Sequence, residues 1–173
     1  ARRVDAGTRV LLVVLDGLGF AQWHQLRQKL SLQVKQVVGC LAMVPTLTSI
    51  SRQAIFAGAL PRDFAASITT TSKEPKLWTS FWTDNGLDRS DIAYDRVLGG
   101  YPDDVPELRG QVAAVVVNAV DEILHGAEVL GDHQVAAGID AWAQAGFLTS
   151  LLETAANAGF ETWITSDHGN LET

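Results

Sequence analysis

Cysteine is almost absent: the single Cys40 excludes an intrachain disulfide, and its place in an apolar run predicts a small buried hydrophobe rather than a reactive thiol. A reducing compartment fits that usage. Long apolar runs are missing too. All fall far short of the ~20 residues that a membrane-spanning helix requires, and no series of basic, apolar and small residues opens the chain as a signal peptide would. These absences predict a soluble, cytoplasmic protein without membrane contact. Basic charge is scarce, with 13 Lys plus Arg against 20 Asp plus Glu and a formal net charge of −7, so no broad basic face advertises nucleic acid or anionic lipid. There is no internal repeat and no low-complexity segment. An initiator Met is lacking as well: Ala1 is followed by Arg2 and Arg3, and Thr173 comes soon after the most site-like tetrapeptide, so a larger parent protein is expected.

What is present is enough apolar material, 47% of 173 residues, for one packed core, and a single domain over residues 1–173 is expected. Thr8 to Leu15 is a β-branched and Leu run of the kind buried on both faces of a sheet. After the turn Asp16-Gly17-Leu18-Gly19, Phe20, Trp23, Leu26 and Leu30 recur at helical spacing. Val37 to Val44 predicts a second strand, closed by Pro45. Thr46, Thr48 and Ser49 are N-cap candidates for a helix carrying Arg52, Ile55 and Phe56, with Gly58 as its stop. Residues 62–110 lose the alternation of strand and helix and predict an excursion from the core. Within it, Leu77, Trp78, Phe81 and Trp82 form a stripe ended by Asn85-Gly86. That stripe reads as a short helix packing its aromatics inward, with a substrate lid or partner surface as the alternative. Val112 to Val117 resumes the buried-strand pattern. The row Ile139, Ala143, Phe147, Leu151, Ala155 predicts one long helix ending at Gly159, before a last strand from Phe160 to Thr165. The fold class is α/β, a largely parallel central sheet flanked by helices.

Four of the apolar runs end in oxygen or imidazole chemistry: the first in Asp16, the second in Thr46 and Thr48, the third in Asp121 and His125, the last in Asp167 and His168. Strands of an open parallel sheet present functional groups at their carboxyl ends, so these side chains are expected on one rim. Asp and His with a hydroxyl among them suit divalent cations engaged in phosphoryl chemistry. Asp167-His168-Gly169-Asn170 offers two ligand types side by side, and Asp121 and His125, four apart, share one face of a helix. Asp16 taken alone reads equally as a helix cap. Thr48 lies at a helix N-terminus, where free N–H groups favour an anion. Arg52, one turn on, reads either as a donor to phosphoryl oxygens or as a solvated helix residue. Ser49 is the rival nucleophile and Asn118 a candidate substrate contact, each with a capping or turn role as alternative. His24, on the polar side of its helix, and His133, in a Gly-Asp-rich loop, are expected at the surface.

Taken in order, Leu15-Asp16-Gly17-Leu18-Gly19, Val44-Pro45-Thr46-Leu47-Thr48, Asp121 through His125, and Ser166-Asp167-His168-Gly169-Asn170-Leu171-Glu172 resemble the alkaline phosphatase superfamily. The last stretch is similar to cofactor-independent phosphoglycerate mutases, and Pro45-Thr46-Leu47-Thr48 to nucleotide pyrophosphatases and phosphodiesterases. Val44 to Pro61, and Leu77-Trp78 with Phe81-Trp82, are most similar to the PglZ family of bacterial phage-exclusion systems. The resemblance implies two divalent metal ions, zinc foremost, with Asp16, Thr48, Asp167 and His168 on one and Asp121 and His125 on the other. It makes Thr48 the nucleophile of a phosphodiesterase or phosphatase. Coordination to a dication is one way to hold a Thr hydroxyl ready for attack. It also implies a further His on the second metal from a later segment, so the core is expected to be C-terminally incomplete and residues 1–173 inactive alone. Implied partners are a phosphoester substrate, a nucleotide or nucleic acid included, and other phage-defence proteins. The alternatives are a non-catalytic metal-binding scaffold and a phosphomonoesterase or phosphomutase.

Overall fold

The computed structural model describes residue 4 and residues 7–127 and 132–169. Four strands, β1 (Arg9–Leu15), β2 (Ile92–Val97), β3 (Val112–Val117) and β4 (Phe160–Thr165), form one sheet in the order β2-β3-β1-β4. All pairings are parallel. The two central strands are the most apolar: every residue of β3 is buried, as are Val13, Val14 and Leu15 of β1. A strand covered on both faces needs such a run.

Helices α1 (Phe20–Lys29), α2 (Thr48–Ala57), α3 (Glu74–Asp84), α4 (Ala119–Ala127), α5 (Asp132–Ala145) and α6 (Phe147–Asn157) cover the sheet. Side chains alternate between faces along each strand. Leu11, Val13, Val115 and Val117 accordingly pack with Leu26, Ile139, Phe147 and Leu151 of α1, α5 and α6. Val14, Ala114 and Val116 pack on the opposite side with Phe56 of α2 and Trp78 and Trp82 of α3. There Phe56 meets Trp78 edge-on at 5.8 Å and Tyr94 at 5.3 Å. The stripe on α3 therefore packs inward.

Register aligns the carboxyl ends. Leu15 lies beside Val117, and Val14 beside Thr165, so the chain leaves β1, β3 and β4 along one rim.

Five sequence expectations are corrected. Val37 to Val44 forms no strand: the segment is irregular, Leu41 is 99% exposed, and Cys40 is exposed rather than buried. Strand propensity becomes a strand only where a neighbour offers hydrogen bonds, and β3 and β4 already occupy both sides of β1. Residues 62–110 do not simply leave the core, because they supply α3 and the edge strand β2. That strand is only half-buried, so Asp95 and Arg96 fit in it. The long helix is two, α5 and α6, broken at Gly146 with φ 91°. His133 falls in the first turn of α5 rather than in a loop.

Among the described residues no single helix is long and apolar enough to cross a membrane. The α5–α6 pair has the length and composition but is bent by 42°. Its Ile139, Phe147 and Leu151 are fully buried in the core.

Candidate metal centre

Asp16 follows β1 directly, is 1% exposed, and its backbone N–H donates to the Val117 carbonyl at 3.0 Å. The chain then turns at Gly17, φ 72°, whose N–H donates to Asp167 Oδ1 at 3.1 Å. A Cβ on Gly17 would stand 3.2 Å from Asp121 Oδ1, and one on Gly169 would stand 3.2 Å from the Cα of Gly19. Glycines thus let the loops after β1 and β4 approach closely.

Asp167 lies just beyond β4 and is 3% exposed; its Oδ1 also accepts from the His168 N–H at 2.9 Å. Its Oδ2 and Asp16 Oδ1 are buried without hydrogen-bond partners. They stand 3.5 and 3.6 Å from His168 Nε2. Thr48 opens α2, its Oγ1 lying 3.0 Å from the same nitrogen.

The donor atoms of Asp16, Asp167 and His168 all lie within 4.8 Å of one another. Donors of a tetrahedral ion at about 2.0–2.1 Å stand about 3.3 Å apart, so spacing and donor types fit a zinc-like cation. Two unpartnered buried carboxylate oxygens are costly unless something positive meets them. Without a cation the proton substitutes. Burial pushes the Asp167 carboxyl up to about 8, with the charge and hydrogen bonding of Asp16 next in effect.

The second candidate pair sits beside this cluster. Asp121 and His125 lie one turn apart on α4, with Oδ2 and Nε2 at 3.4 Å. Burial raises the Asp121 carboxyl, and Asp16 adds to the shift. Among the described residues no further His, Cys, Asp or Glu joins these two in a group of three.

A family model described as the BREX system PglZ alkaline phosphatase-like domain matches residues 1–173. The chain belongs to the PglZ family. No curated protein matches it. The parallel sheet covered by helices is the α/β fold of an alkaline phosphatase-like domain, and a BREX component works with other defence proteins. Alkaline phosphatase-like domains typically bind metals, and the PglZ domain carries a buried Asp/Asp/His group.

Three other expected site residues of the PglZ domain take different places. Arg52 is 1% exposed, so it is neither a solvated helix residue nor a free donor: Nη1 donates to Asp16 Oδ2 at 2.8 Å and Nη2 to Glu74 Oε2 at 2.6 Å. Burial opposes its charge, and Glu74 and Asp16 outweigh that. Asn118 donates to Asp16 Oδ2 at 3.2 Å, and Ser49 to the Ile68 carbonyl at 2.8 Å. His24 is exposed and pairs with Gln28. Asn170, Leu171 and Glu172 lie outside the described residues.

Glu74 is the residue that sequence reasoning missed. An acidic residue opening a helix ahead of Pro75 reads as a solvated first-turn carboxylate. Nothing local in the sequence marks it as fully buried.

Proposed function

We propose that this PglZ domain is a metal-dependent phosphoryl hydrolase, with Thr48 as nucleophile and a phosphodiester as the favoured substrate. One observation carries the reading: the unpartnered Asp16 Oδ1 and Asp167 Oδ2 meet His168 Nε2 beside the Thr48 hydroxyl. Asp16, Thr48, Asp167 and His168 would hold one divalent cation, zinc by donor type, and Asp121 and His125 would contribute to a second. Bound there, the cations would supply Lewis acidity toward the attacking, leaving and non-bridging oxygens. Thr48 Oγ1 would form a bond to phosphorus as the bond to the opposite ester oxygen breaks; that oxygen leaves with its electron pair, the hydroxyl proton passes to solvent water, and solvent protonates the departing alkoxide. Water would then cleave the phosphothreonine and restore Thr48. The N-terminus of α2 would stabilise the phosphoryl oxygens during both steps.

Zinc titrated into residues 1–173 is expected to fill one tight site, because among the described residues only Asp121 and His125 are grouped as donors at the second. Two tight sites, or steady turnover by residues 1–173, would contradict the ligand assignment. For the full-length protein we expect zinc-dependent cleavage of a chromogenic bis-ester, lost in Thr48→Ala. Faster cleavage of the mono-ester would make it a phosphomonoesterase. The two-donor second pair favours one rival, a metal-binding scaffold, which predicts zinc uptake without turnover by the full-length protein.

A further inference from the structure

We infer that Glu74 is a positioning residue for Asp16, acting through Arg52. The guanidinium of Arg52 bridges two carboxylates, giving Nη1 to Asp16 Oδ2 and Nη2 to Glu74 Oε2. The far carboxylate is itself held from β2. Glu74 Oε2 also accepts from the Tyr94 hydroxyl at 2.6 Å and from Arg96 Nη2 at 3.2 Å. Arg52 is thereby anchored by residues of α3 and β2, and it cannot turn toward a substrate without abandoning Glu74.

The near carboxylate is left with one orientation. Asp16 Oδ2 accepts from both Arg52 and Asn118, whereas Oδ1 has no partner and faces His168. Rotating the carboxylate would break both bonds. Stability alone does not call for such a cluster, since apolar side chains of similar volume usually replace a buried ion pair without loss. The adjoining face of the sheet is packed in that way, by Phe56, Trp78 and Trp82. What an apolar replacement could not do is aim Asp16. Arg52 is therefore a positioning residue as well, not the phosphoryl donor that its place on α2 suggested, and outer partners of this kind orient metal ligands.

The purpose of the device rests on the metal-centre reading; the orientation of Asp16 does not. Two variants separate positioning from structure. Glu74→Gln keeps shape and removes charge, while the double variant Arg52→Met, Glu74→Met removes both charges and keeps volume. By calorimetry each is expected to bind zinc roughly 10–100-fold more weakly than the unaltered protein. The double variant also strips the buried Asp16 Oδ2 of its charged partner and should melt lower, so zinc binding is compared at a temperature where every variant is folded. Tyr94→Phe, which deletes one donor to Glu74, should give a smaller loss in the same direction and guards against a double variant that fails to fold. Crystal structures of metal-free variants should show the Asp16 carboxylate turned, with Oδ1 withdrawn from His168 Nε2. Unweakened zinc binding in well-folded variants, or an unmoved Asp16, would overturn the inference. Should the unaltered protein take up no zinc, the metal-centre reading fails and the orientation of Asp16 in the variants still decides this one.

Discussion

Asp167 shows how a single side chain couples site chemistry to stability. Its carboxyl titrates near 8 in the folded protein and near 3.9 in an unfolded chain. Between these values the metal-free native state holds a proton that the unfolded state releases. The associated stability is full below about pH 4 and is lost as pH rises through about 8. Melting temperatures in chelator are expected to fall steadily from about pH 5 to about pH 8, and Asp167→Asn should flatten that slope. Scanning calorimetry across that range checks it; an equal slope in the variant would place the proton elsewhere. Zinc binding in the same window should release protons, visible as a dependence of calorimetric heat on the buffer. At Thr48 the expectation concerns rate. Thr48→Ala should lower bis-ester turnover of the full-length protein by at least about a thousandfold, since the rival hydroxyl, Ser49, is engaged with the Ile68 carbonyl. Its effect on folding stability should stay within about 1 kcal/mol. Thr48→Ser should retain part of the activity, and an active alanine variant would remove Thr48 from the reaction.

Among the elements, the break between α5 and α6 is the clearest case of a feature that periodicity hides. Ile139, Ala143, Phe147, Leu151 and Ala155 recur every four residues across it, and all are buried. The stripe is real on both sides, but Gly146 takes φ 91° between them. A Cβ there would meet nothing nearer than Pro102 Cγ at 3.9 Å. Gly146→Ala should therefore cost only the conformational penalty, about 1–2 kcal/mol, measurable by urea denaturation. The packing of α2 and α3 on the sheet makes a larger demand. Phe56 is fully buried and touches Trp78 and Tyr94 edge-on, so Phe56→Ala should cost about 3–5 kcal/mol in the same experiment. A loss below 1 kcal/mol would mean that this aromatic cluster does not hold the two helices to the sheet.

At the scale of the whole molecule, a cation bound by the loops after β1 and β4 and the start of α2 would tie three distant parts of the chain together. Any ligand of the native state alone stabilises it, by about 2.7 kcal/mol at a hundred times its dissociation constant. Zinc should raise the melting temperature accordingly, and His168→Ala should abolish most of that rise. Much of this framework was legible in the sequence. Three of the four apolar runs are strands, ending in Asp16, in Asn118 with Asp121 beyond it, and in Asp167-His168, and parallel strands bring such ends to one rim. The strand limits of β1, β3 and β4 and the stop of α2 at Gly58 followed from local chemistry, with β-branched runs inside the strands, whereas the expected Ser/Thr cap did not form: Leu47 is the N-cap of α2 and no side chain caps it. Pairing and burial were not local. Val37 to Val44 has the composition of a strand and no neighbour, whereas Ile92–Val97 carries Asp95 and Arg96 and has β3 beside it. Arg52, which reads singly as a phosphoryl donor or a solvated helix residue, and Glu74, 22 residues on, become a buried ion pair only when α2 packs on α3. Which residues end β1, β3 and β4 could be read along the chain, because a strand's end depends on its sequence neighbours. Tertiary structure alone decided which charges are buried together, because removal from water depends on what folds over them.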